Sequence, residues 1–111
     1  MDEERLTAIR VIRAYLREIQ RSYNSCFRTP AHSYQIIYQE IAATKLLNQI
    51  KNNKSLSPQT IIENFVRMMD RYAIMNDFNS RQFSIQSDTA YYILDEIIVY
   101  EERRRNQNGQ L

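Results

Sequence analysis

Glycine is nearly absent from this 111-residue chain, with Gly109 the single one, and proline occurs only at Pro30 and Pro58. Sheets joined by tight turns need such residues repeatedly, so their scarcity argues against an all-β architecture and for long helices with few connections. A body without glycine also has no glycine-rich loop to cradle phosphates. The one cysteine, Cys26, leaves nothing for an internal disulfide. Together with the one histidine, His32, it supplies only two of the roughly four nitrogen or sulfur ligands that structural zinc usually takes, so no metal and no cofactor are expected. No apolar run approaches the roughly 20 residues of a membrane-spanning helix. The chain opens on Asp2, Glu3 and Glu4, not on a basic and then apolar leader. A cytoplasmic location without membrane contact is the expectation.

What is present describes a folding chain. A hydrophobic fraction of 43% beside 25% charged residues is too apolar for a disordered protein, and 111 residues suit one core better than two. The net charge of +2 is unevenly distributed. Residues 1–54 hold nine basic and five acidic side chains, while residues 55–101 hold three basic and seven acidic. One half is therefore positive and the other equally negative, a pattern that attracts the halves to each other within a chain or between chains.

Apolar spacing divides the body into four helices. Ile9, Ile12, Leu16, Ile19, Tyr23 and Cys26 recur at gaps of three and four, a helical seam over about residues 2–28. Val11 and Tyr15 widen its apolar arc. Thr29 before Pro30 places a hydroxyl cap ahead of a proline at the first helical position. The second helix, to about Lys51, shows Tyr34, Ile37, Tyr38, Ile41, Ala42 and Leu46 on one face and Ile36, Ala43, Leu47 and Ile50 on another, as a central helix would. Leu56-Ser57-Pro58 signals a third start, and Ile61, Ile62, Phe65, Val66, Met69, Tyr72 and Ala73 give its buried stripe to about Met75. Met68, Met69 and Met75 read as core filling. After a loop over residues 76–80, a last helix is expected from Ser84 or Ser87 through Ala90, Leu94, Ile97 and Ile98 to about Glu102. The fold class is thus all-α, a single-domain bundle of about four helices over residues 1–102. Residues 103–111, polar and basic, are expected as a short disordered tail.

Catalytic constellations are scarce. Cys26 and His32 are one thiol and one base, the minimum for an activated nucleophile. The simpler reading makes Cys26 a small buried hydrophobe continuing the seam and His32 an exposed residue in a helix's first turn. Glu63 and Asp70 lie two turns apart, and Asp95 and Glu96 are adjacent, but none falls in a Glu-x-x-His metal pattern. Enzymatic activity is not expected.

Two features suit recognition. Tyrosines join a large apolar ring to a polar tip, and with Tyr34 and Tyr38 assigned to the core, Val11, Tyr15, Tyr92 and Tyr100 become the candidate protein interface. The expected partner is a protein or a second copy of the chain, most simply a dimer. The alternative is nucleic acid, held by Arg10, Arg13, Arg17, Arg21 and Arg28 along the first helix and by the basic tail. A body with balanced charge ranks that alternative second, because nucleic-acid binders carry a basic excess on the domain.

Overall fold

In the computed structural model, which describes residues 2–25, 30–76 and 81–109, four helices follow one another as α1 (Glu3–Ser25), α2 (Pro30–Asn52), α3 (Pro58–Met75) and α4 (Arg81–Gly109). No strand occurs among the described residues. Asp2 caps α1, its Oδ1 accepting the Arg5 backbone N–H at 2.7 Å, and this bond holds the Asp2 carboxyl below the usual carboxylate range. Pro30 opens α2, while the expected cap Thr29 lies outside the described residues, as do Cys26 and Arg28. Ser57 caps α3 as its sequence predicts, with extended backbone and Oγ accepting from the Thr60 N–H at 3.2 Å, and Pro58 follows in the first turn.

Neighbouring helices run in opposite directions. At one end Arg104 on α4 pairs with Glu3 on α1, and Arg5 reaches the end of α2 and the start of α3. At the other end Ser87 donates to Asp70 Oδ1 at 2.7 Å, and the rings of Tyr72 and Phe83 stand 5.5 Å apart, tying α3 to α4. α1 rests chiefly on α2 and α3 chiefly on α4, with α4 also lying along α2. The shared core is completed by Phe65, Ile12, Leu46, Ile50, Ile62 and Ile93, the largest fully buried side chains. Each contributes about 1.5–3 kcal/mol by leaving water.

Arg5 is the least expected member of the interior. Its side chain is only 4% exposed. One guanidinium nitrogen donates to the Ile50 carbonyl, another to the Leu56 carbonyl at 2.7 Å, and Nε lies 3.4 Å from Asp2 Oδ2. The last carbonyls of a helix have no intrahelical donor. Arg5 supplies one to α2 and also fastens the connection into α3.

Several expectations need correction. α4 begins at Arg81, before Ser84 and Ser87. Ser84 stays exposed within the helix, and Ser87 is buried in it and bonds to Asp70; nearby, Thr89 Oγ1 donates to the Ile85 carbonyl at 2.8 Å and Gln86 donates to the Gln82 carbonyl. At the far end α4 runs on from Glu102 to Gly109, and Gln110 and Leu111, the last residues of the expected tail, lie outside the described residues. Tyr34 and Ile37 are exposed and Tyr38 is half-buried, because α2 enters the core mainly through Ile36, Ala42, Ala43, Leu46 and Ile50. Tyr34 instead packs on Tyr38, ring centroids 4.9 Å apart. Tyr72, Met68 and Met75 are likewise exposed, leaving Met69 as the core methionine of α3.

Candidate functional site

The seam of α1 faces the core, so the residues a quarter-turn away from it are left on a flank. Val11, Tyr15, Glu18 and Ser22 form that flank at gaps of four, three and four. On α4 the row Tyr92, Glu96, Val99 and Arg103 repeats the same gaps. The two rows are the walls of a groove of about 930 Å³, whose floor is the first half of α2, with His32, Gln35, Ile36 and Gln39. All four candidate interface residues, Val11, Tyr15, Tyr92 and Tyr100, line it.

Tyr15 bridges the walls. Its ring lies 5.5 Å from that of Tyr92 at an interplanar angle of 44°, in the range favoured by aromatic pairs. Its side chain lies beside Thr89, and burial pushes its phenol above the ordinary tyrosine value. Val11 packs partly against the core. Tyr92 and Tyr100 remain exposed, at 53% and 43%. Two large rings thus stand open to solvent on one wall while a third is held firm between the walls.

The groove divides the arginines differently from a single stripe. Arg10 and Arg17 line it from α1, and Arg103 joins them from α4. Arg13 and Arg21 are exposed outside its lining, and Arg21 lies 3.6 Å from Glu18. Glu18 and Glu96 are inside it, so its charge is mixed. Arg103 belongs to the basic tail that the sequence offers as a nucleic-acid contact, and α4 carries it into the groove beside Arg10 and Arg17. The repeated four-three-four row on α1 and α4 is the signal that would have joined the two walls.

His32 is half-buried in the groove floor, where a first-turn position had suggested exposure, and Cys26 lies outside the described residues. Among the described residues no group of three or more His, Cys, Asp or Glu is arranged to hold a metal ion. Asp70 accepts from Ser87, and Glu63 accepts from Gln59 at 3.2 Å, so both carboxylates have structural partners. Among the described residues no helix is long and apolar enough to cross a membrane. The arrangement offers shape, rings and mixed charge. The chain matches no protein-family model, no curated protein and no solved structure.

Proposed function

We propose that this chain is a non-catalytic, cytoplasmic interaction module that seats a protein helix in the groove between α1 and α4. One observation carries the reading: Val11 and Tyr15 on one helix and Tyr92 and Tyr100 on another, far apart in sequence, line the same groove. Helices docked in grooves are read through anchors at intervals of three, four and seven residues. The two walls have that periodicity, with apolar and charged side chains alternating along the lining. Exposed tyrosines are also the residues that most often anchor interfaces.

Selection of amphipathic helical peptides on the folded chain tests this. Selected binders should weaken at least tenfold on Tyr92→Glu and Tyr100→Glu and keep their affinity on Met75→Glu, a substitution on α3 at a site that is 71% exposed and outside the groove lining. Peptides indifferent to both groove changes would refute the reading.

Nucleic acid has one observation behind it as a second reading, the meeting of Arg103 with Arg10 and Arg17 beside three tyrosines. Basic grooves with stacking rings suit single strands. Against it stand Glu18 and Glu96 in the same groove. Arg21 and Arg104 are engaged with Glu18 and Glu3.

A further inference from the structure

The groove has a counterpart on the same molecule. On the outer lip of α4, Asp88, Asp95 and Glu102 follow one another at intervals of seven residues, all exposed. Beside them run the exposed Tyr92 and Val99, also seven apart. On the rim supplied by α1, Arg10 and Arg17 are again seven apart. Seven residues of helix rise about 10.5 Å, so the acidic row and the basic pair share one period. Among the described residues none of these five charges belongs to an ion pair within the chain.

We infer that the occupant of the groove is a second copy of this chain, which inserts the outer lip of its α4 and receives the first copy's lip in return. The inference rests on the groove being the protein-contact surface. A two-fold interface requires one patch that both gives and receives. The α4 lip meets that requirement, because it is at once a wall of its own groove and a ridge able to enter another. In the pair, Asp95 and Glu102 of each copy face Arg10 and Arg17 of the other, while Tyr92 and Val99 pack near the axis. The basic first half of the chain thereby meets the acidic second half across two contacts. A standard interface takes about 800 Å² from each partner, close to a tenth of this chain's 7632 Å² of surface.

Light scattering with size exclusion, on the full chain, tests the inference. The wild-type chain should give about twice its 13.3 kDa mass at micromolar concentration. Arg10→Glu with Arg17→Glu should give monomers, because each groove then repels the partner's lip. Asp95→Lys with Glu102→Lys should do the same. An equimolar mixture of the two variants should restore the dimer, since both contacts become complementary again. Circular dichroism checks that each variant folds, and should a reversal unfold the chain, the milder pairs Arg10→Gln/Arg17→Gln and Asp95→Asn/Glu102→Gln should each weaken the dimer at least tenfold. A wild-type monomer throughout the accessible range would overturn the second copy as occupant, while the peptide selection would still judge the groove itself. A dimer indifferent to both pairs, or two monomeric variants that fail to associate when mixed, would overturn the assigned interface.

Discussion

Replacing Arg5 by Met keeps an unbranched stem in the interior and removes the guanidinium. Two carbonyls, Ile50 and Leu56, lose their donor. Hydrogen bonds from a charged group contribute about 1.5–3 kcal/mol each, and a carbonyl left buried without a partner costs about 1–3 kcal/mol. Removing a buried cation also removes its desolvation penalty, which offsets part of that loss. Asp2, fully at the surface, adds little to the balance. The net expectation is a destabilisation of about 2–4 kcal/mol. Urea unfolding followed by circular dichroism should show a lower midpoint at unchanged slope, the mark of lost stability without a change in the surface exposed. Arg5→Lys should recover at most about half, because one ammonium cannot span two carbonyls as a planar fork does. A loss below about 0.5 kcal/mol for Arg5→Met, or full recovery by lysine, would refute the clamp, since substitutions without a structural role stay within that limit.

Ser57→Ala should cost about 1 kcal/mol, the usual value of a lost N-cap, measured by the same unfolding assay. An absorbance titration should find the Tyr15 phenol ionising above the ordinary tyrosine value. Its folded value is raised above an ordinary value near 10, so the stability it contributes is complete below that pH and falls as pH rises beyond it. Tyr15→Phe should remove that alkaline loss. Nucleic-acid binding should be absent at physiological salt, and Arg13→Gln with Arg17→Gln should change nothing in a filter-binding assay; tight binding whose salt dependence flattens in the double variant would reverse the ranking of the two functions.

The sequence is most legible where local chemistry and tertiary structure agree. Ser57 and Pro58 start α3 by themselves, since capping hydroxyl and proline ring both act within one turn. Tyr72 apart, the buried stripe of α3 follows from spacing, because a single face of that helix meets the core. α2 is harder, since both its faces are apolar and only its neighbours decide that Ile36 goes in and Tyr34 stays out. The seam of α1 extends one turn further back than its apolar residues reveal. Arg5 occupies the next position, four before Ile9, and a cation there reads as solvent-facing until the carbonyls of Ile50 and Leu56 are in place. Ser87 poses a related difficulty, because a serine before an apolar run looks like a cap, whereas its bond goes to Asp70, a partner seventeen residues away. The groove was half legible. Its tyrosines stood out by type, but that two walls face each other is a property of the antiparallel bundle.

The way α3 is supported bears on how the chain acquires its fold. α1 finds its main neighbour in α2, the next helix made, whereas α3 finds its own in α4, the last. An up-and-down order of this kind yields two helical hairpins built from near-neighbour contacts, which form quickly, and leaves the docking of one hairpin on the other as the step that must close longer loops. A chain ending before Arg81 would leave Ile61, Phe65, Val66 and Met69 without the main wall that covers them. Synthesis therefore passes through a stage at which the first hairpin can close while the third helix still awaits its cover, and shortened chains of that length should aggregate, not fold to a smaller bundle.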